Sequence, residues 1–217
     1  KEFWKQLYFG GLSEFFYING IETDKDSFMT IECDEAKDDI APICYKTAGI
    51  NLIPVGGGKD SAVTAELLKP FGKRNKFFTV NDQAARTETV IAAGYGEDDI
   101  IKTYRAIDKN LLELNKKGFL NGHTPFSAIV AFLSLYCAYL IGGEYIVPSN
   151  ESSANSGNIE GREVNHQYSK SYRFENDFIE HVGENLLSGI RYFSLLRPFS
   201  ELQIAKQFAL LPQYHKV

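Results

Sequence analysis

The sequence runs to 217 residues with a formal net charge of −5, the size of one large α/β domain with room for a small appendage. A chain this long buries roughly 70% of the surface that its unfolded form exposes, so no disulfide is needed to hold it. The acidic balance argues against a nucleic-acid partner, which needs a basic stripe, and no apolar run reaches the ~18 residues of a membrane span. The longest such run, Ala128 to Ile141, is broken by Ser134 and by tyrosines. The three cysteines, Cys33, Cys44 and Cys137, are odd in number and lack CxxC spacing. With no legible secretory leader, the expected compartment is a reducing cytoplasm.

Residues 1–48 hold short aromatic and β-branched runs: Phe3 to Phe9, Phe15 to Ile18, and Phe28 to Ile31. Gly10-Gly11, Asn19-Gly20 and Asp24-Lys25-Asp26 separate them. Asn-Gly between such runs is a hairpin signal. The expectation is a small antiparallel, β-rich unit over 1–48, joined through the acidic stretch Asp34 to Asp39 to a main domain over 49–217.

In the main domain, Ile50 to Val55 reads as a buried strand. Gly56, Gly57 and Gly58 form a turn without β-carbons, and helical spacing follows from Asp60 to a stop at Pro70. Lys76 to Val80 is a second strand, with a helix over Gln83 to Ala93. Ile100 to Tyr104 is a third strand, with a helix over Asp108 to Lys117. Thr124 is the expected N-cap and Pro125 the first residue of an apolar helix running to Leu140. That helix is apolar nearly all round, which predicts a central position. Glu144 to Val147 is a fourth strand, and a long polar stretch, 148–170, follows it. A helix over Tyr172 to Leu187, a fifth strand over Tyr192 to Leu196 and a helix over Glu201 to Leu211 complete the pattern. Strands alternating with helices predict an open parallel five-stranded sheet flanked by helices, Rossmann-like, with right-handed crossovers.

Ligands of such sheets sit outside the carboxyl ends of the strands. That directs attention to 56–61, 81–88, 105–108, 149–170 and 197–201. Three phosphate-loop patterns compete for 56–61. Walker A needs Gly-Lys followed directly by Ser or Thr; Asp60 stands between Lys59 and Ser61, so that pattern fails. A dinucleotide fingerprint, Gly56-x-Gly58-x-x-Ser61 with Asp82 on the ribose, lacks its third glycine.

The third pattern is Gly-Gly-x-Asp-Ser after the first strand, which resembles the PP-loop of the ATP pyrophosphatase superfamily. Its usual form is Ser-Gly-Gly-x-Asp-Ser, so Gly56 stands where the superfamily usually carries serine. The resemblance implies cleavage of ATP between the α and β phosphates with Mg²⁺. The N–H groups of Gly57, Gly58 and Lys59 would cradle pyrophosphate, Ser61 would donate its hydroxyl, and Asp60 would orient the loop or hold the metal. Val80 and Asn81, ending the second strand, would complete the nucleotide site.

Later segments narrow the resemblance: residues 121–128 (NGHTPFSA), 148–155 (PSNESSAN), 164–171 (VNHQYSKS) and 193–202 (FSLLRPFSEL). In this order they resemble the ATP-dependent UDP-N-acetylmuramoyl-L-alanyl-L-glutamate epimerase family of peptidoglycan synthesis. The similarity covers roughly 50–211, and related chains continue beyond this point, so a longer natural chain is expected. The implied reaction adenylates a terminal glutamate carboxylate, acidifying the adjacent C–H, and releases AMP and pyrophosphate.

Inversion requires a general base and a proton donor on opposite faces of the carbon. Candidates are His123, Glu151, His166 and Lys170; the last two are four apart and would share a helical face. Glu151 is also a candidate Mg²⁺ ligand with Asp60. Ser149, Asn150, Asn165 and Arg197 are candidate substrate contacts, with Arg197 suited to clamping a carboxylate or phosphate. The expected partner is a small UDP-muramoyl dipeptide or another carboxylate. Two further readings stay open: another adenylating enzyme that forms an amide or transfers sulfur to tRNA, and a nucleotide-binding protein without turnover. Sulfur transfer needs a reactive cysteine near the loop, and no cysteine follows a strand end.

Overall fold

The computed structural model describes residues 1–33, 41–81, 83–156, 165 and 167–217. The chain opens with two helices, α1 (Glu2–Gly11) and α2 (Ser13–Ile18), then a two-residue strand, β1 (Ile43–Cys44). The alternating part runs β2 (Ile50–Pro54), α3 (Lys59–Leu68), β3 (Asn75–Val80), α4 (Ala84–Ala92) and β4 (Ile100–Thr103). It continues with α5 (Lys109–Lys116), α6 (Phe126–Ile141) and β5 (Gly143–Ile146). The last elements are α7 (Tyr172–Asn185), β6 (Leu187–Ser188), β7 (Arg191–Tyr192) and α8 (Glu201–Ala209).

Five strands form one sheet in the order β4-β3-β2-β5-β7, with every pairing parallel. The expected open five-stranded parallel sheet is therefore present, and β1 and β6 form a separate parallel pair. The chain winds outward from β2 through β3 to β4, then returns through α6 to β5 on the other side of β2. The order reverses at the carboxyl ends of β2 and β5, where open sheets bind ligands.

Burial on both faces explains why apolar residues stand side by side in β2 (Leu52, Ile53) and β3 (Phe77, Phe78) instead of alternating with polar ones. Leu52 and Phe78 pack in one cluster with α6 and α7, and Ile53 and Phe77 pack in a second with α3 and α4. At the opposite end of the sheet, Asn51 donates to Asn75 Oδ1 at 2.8 Å, and Asn75 donates to Leu68 O at 2.6 Å. This buried amide pair ties the end of α3 to the sheet without leaving its own polar atoms idle.

Three expectations need correction. The described residues of 1–48 are not β-rich: apart from Ile43 and Cys44 their regular structure is helical. Phe3, Trp4 and Leu7 form a helical stripe, and Leu7 is buried in the cluster that contains Phe178. Asn-Gly, read as a hairpin turn, instead ends α2. Gly20 is left-handed at φ 64, and the N–H groups of Gly20 and Ile21 reach back to Tyr17 O and Phe16 O. A left-handed glycine is as much a helix stop as a hairpin turn. The acidic stretch Asp34 to Asp39 lies outside the described residues.

The second correction is α6. Its N-cap is Pro125 rather than Thr124, and no side chain caps it. It is also not central all round: Ala128, Ala131, Ser134, Leu135, Cys137 and Ala138 are buried, but Tyr136 and Leu140 are each 62% exposed. Small residues set the buried face because the helix lies close on the sheet. The third is the fifth strand, which ends at Tyr192 instead of Leu196. Ser194 Oγ donates to Asn150 O at 2.6 Å and accepts from the Leu196 N–H at 3.2 Å, which replaces ladder bonds with a local turn.

Gly142 ends α6 at φ 82, and a β-carbon there would lie 2.7 Å from the Ala48 Cβ. Gly142→Ala is expected to cost about 1–2 kcal/mol from the left-handed backbone, with the clash adding to it. A urea unfolding midpoint equal to that of the wild type would refute this.

Candidate functional site

The glycine turn follows β2 at the switch point. Gly57 has φ 86, and a β-carbon on it would meet Ala85 C at 3.1 Å and Arg86 N at 3.2 Å. Backbone conformation and the close approach of α4 thus both require glycine here. β-Carbons on Gly56 or Gly58 would meet nothing within 4 Å, so the space over the turn is open. Gly58 is the N-cap of α3, and no side chain caps that helix. The N–H groups of its first turn are left to an anion, which the helix dipole also favours.

Ser61 is buried, and its hydroxyl donates to Gly58 O at 2.8 Å, holding the turn closed. Lys59 Nζ lies 2.7 Å from Asp60 Oδ1 and 3.6 Å from Glu201 Oε1. Burial works to lower the Lys59 pKa, but the hydrogen bond and charge of Asp60, with the charges of Glu201 and Glu151, outweigh it and raise the group above its ordinary range. Lys59 is therefore a firm cation beside the turn, and the charge of Glu151 contributes to holding it so.

A cavity of about 110 Å³ adjoins the turn, lined among others by Val55, Gly56, Val80, Arg86, Phe126 and Val130. Val80 is thus placed beside the glycines, as the sequence suggested. Asn81 is different: it adopts φ 60, its Oδ1 accepts from the Arg105 N–H at 2.7 Å, and its O accepts from Arg86 at 2.6 Å. Its side chain is committed to the backbone of the next loop. Arg86 was not singled out from the sequence. It also donates to Val80 O, and its Nε is buried with no partner among the described residues. The only sequence signal for it was its place in the segment after the second strand.

The loop after β5 brings the next group. Arg197 donates to Glu151 O at 3.1 Å and to Glu175 Oε2 at 2.8 Å. Glu151 Oε1 accepts from Ser153, while Glu151 Oε2 and Ser149 Oγ are buried and unpartnered among the described residues. Asn150 enters through its carbonyl, held by Ser194. Asn165 donates to Ala154 O at 2.9 Å and accepts from the Gln167 N–H at 2.8 Å. Lys170 is exposed on the one-turn helix Tyr168–Lys170. His123 is exposed in the loop before α6, which Asn19 ties to α2 by donating to Asn121 O at 3.1 Å. His166 lies outside the described residues. The fold therefore places Val80 beside Gly56 at the glycine turn, and in the loop after β5 it ties Arg197 to Glu151 and Ser194 to Asn150. Among the described residues no three His, Cys, Asp or Glu side chains gather as a metal site, and no helix is long and apolar enough to cross a membrane.

A parallel α/β sheet with a glycine turn and an uncapped helix N-terminus at its switch point defines an open Rossmann-like α/β protein, the class of fold whose ligands sit at that point. More particularly, the chain belongs to the MurL N-terminal domain family, which it matches over residues 1–195. It is 34% identical over 212 residues to a UDP-N-acetyl-alpha-D-muramoyl-L-alanyl-L-glutamate epimerase of Xanthomonas oryzae pv. oryzae, covering 97% of this chain and 46% of that one. It is 34% identical over 215 residues to the enzyme of the same name from Salinispora tropica, again covering 97% and 46%. The one from Micromonospora is 38% identical over 168 residues, 76% of this chain and 37% of that one. The chain thus spans somewhat less than half the length of the curated relatives it matches. Among solved structures, a chain described as a predicted subunit of tRNA methyltransferase from Methanocaldococcus jannaschii aligns with a TM-score of 0.43 and 14% identity, over 74% of this chain and 76% of that one.

Proposed function

We propose that this chain is the nucleotide-handling part of an enzyme that inverts the terminal L-glutamate of UDP-N-acetylmuramoyl-L-alanyl-L-glutamate at the cost of ATP. The observation that carries the reading is the open glycine turn, with the uncapped first turn of α3 and the charged Lys59 beside it. The names of the relatives supply the substrate.

In this reading the substrate carboxylate attacks the α-phosphorus of ATP. The α–β bridging bond breaks, and pyrophosphate leaves with the bonding electrons. The N–H groups of Gly57, Gly58 and Lys59, with the Lys59 ammonium, hold the leaving pyrophosphate. The acyl adenylate makes the α-proton removable, because its carbonyl takes up the charge that a carboxylate would repel. Donors placed at that oxygen contribute several kcal/mol. Reprotonation on the opposite face and hydrolysis by water give the D-glutamyl product and AMP. Among the base and acid candidates, Glu151 is assigned one role because its charge bears on Lys59; His123, His166 and Lys170 remain candidates for the second.

Mg²⁺ suits the donor set, since it takes one or two carboxylates plus phosphate oxygens rather than a full protein cage. Asp60, and Glu151 through its unpartnered Oε2, would hold it, neutralising phosphate charge. The cytoplasm, where ATP and this precursor are available, is the proposed compartment. Full-length protein incubated with ATP, Mg²⁺ and the UDP-muramoyl dipeptide is expected to yield AMP, pyrophosphate and D-glutamate on acid hydrolysis. ADP with phosphate, or L-glutamate alone, would sink the reading.

A further inference from the structure

A cavity of about 670 Å³ lies between α1 and the segment leading into α7, away from the apolar pocket beside the glycines. Gln6 and Ser13 line it from one side, and Asn155, Asn165, Arg173 and Arg197 from the other. Its size is that of a small-molecule site, and its polar groups converge from distant parts of the chain.

The walls are fastened together. Arg173 donates to Gln6 Oε1 at 3.0 Å, and the Asn165 N–H donates to Ser13 Oγ at 3.2 Å across 152 positions. The back of α1 is shaped to be held there. β-Carbons on Gly10 and Gly11 would lie 2.7 Å from the Tyr168 ring and 2.6 Å from Pro125. Burial pushes the Tyr168 phenol up to about 12, so it stays neutral in this wall.

Arg197 lines the cavity and ties it to the loop after β5, donating to Glu151 O. Its Nε is buried without a partner among the described residues. A molecule seated between α1 and Arg173 would place one end at Arg197.

We propose that this cavity seats the peptide arm of the carboxylate substrate, with α1 as one wall and Arg173 and Arg197 receiving its carboxylates. The occupant's chemistry follows from the lining: two guanidinium groups suit carboxylates, and the carboxamides of Gln6, Asn155 and Asn165 suit peptide groups. α1 thereby becomes part of the substrate site rather than an appendage. The proposal rests on the reading above for the identity of the substrate, but its test does not depend on turnover.

The test measures binding of the UDP-muramoyl dipeptide and of a non-hydrolysable ATP analogue, separately, by calorimetry on full-length protein. Gln6→Trp, which fills the cavity, and Arg173→Gln, which removes an exposed charge without adding bulk, are each expected to weaken the dipeptide about tenfold or more. The ATP analogue is expected to bind as it does to wild type. Unchanged dipeptide affinity in both variants, with wild-type thermal unfolding, would overturn the proposal. So would equal weakening of the ATP analogue, which would place the nucleotide in the cavity. Wild-type protein that binds the dipeptide without forming AMP would defeat only the reaction proposed above.

Discussion

Asp60→Ala is expected to reduce AMP formation by about 10³-fold while leaving the protein folded. The two effects separate because of where Asp60 sits. Its side chain is partly exposed in the first turn of α3, paired with Lys59 rather than packed in the core. Losing its charge at the helix start costs about 0.3–1 kcal/mol, and losing an exposed pair costs at most about 1 kcal/mol. Neither unfolds a domain of this size. The reaction, by contrast, loses the carboxylate that fixes Lys59 beside the turn and that would carry the metal. Ser61→Ala is expected to act in the same direction through the turn itself, because its hydroxyl holds Gly58 O. AMP release and thermal unfolding on the same samples give the answer. An Asp60→Ala protein that turns over within about threefold of wild type would remove the loop from the mechanism.

The parts that were legible in the sequence are those with a local physical cause. β2, the glycine turn and α3 were readable because an apolar run, a left-handed glycine and helical spacing follow one another within twenty residues. The parallel pairing of the strands followed from their alternation with helices. Residues 1–48 misled because their signals are ambiguous locally: Asn19-Gly20 closes a helix as well as a hairpin, and Phe3, Trp4 and Leu7 make sense only against Phe132 and Phe178, more than a hundred positions away. Arg86 was missed for a related reason. Its guanidinium is aimed by Val80 O and the left-handed backbone of Asn81, neither of which composition reveals. Arg197 was found as a strand-end arginine, but its partner Glu175 lies in α7, read only as part of a helix.

That partner sets the second large expectation: Arg197→Ala lowers stability by about 3–5 kcal/mol. The side chains of Arg197 and Glu175 are only 13% and 6% exposed. Glu175 sits between Phe174 and Phe178 on neighbouring turns, near the buried Tyr192, whose phenol is pushed up by burial first and by Glu175 second. Removing the guanidinium strands a carboxylate in that apolar setting and leaves Glu151 O without its donor. The loss corresponds to a fall in Tm of roughly 6–20 °C for a domain of this size. Replacing both partners, as Arg197→Met with Glu175→Leu, is expected to recover much of it, since desolvation of the pair offsets most of its attraction. A Tm for Arg197→Ala within about 2 °C of wild type would refute the assignment. The expectation also bears on how Arg197 meets a substrate. Two of its five N–H groups are given to Glu175 and to Glu151 O, which fixes the plane of the guanidinium. What it can offer at no cost to the fold is hydrogen bonds from the remaining N–H groups, directed by a rigid ion pair. Glu175→Gln tests this, because it keeps an acceptor for Arg197 while removing the charge that anchors it. If Arg197 meets the dipeptide through the N–H groups outside that pair, the variant shifts stability far more than it shifts affinity for the dipeptide.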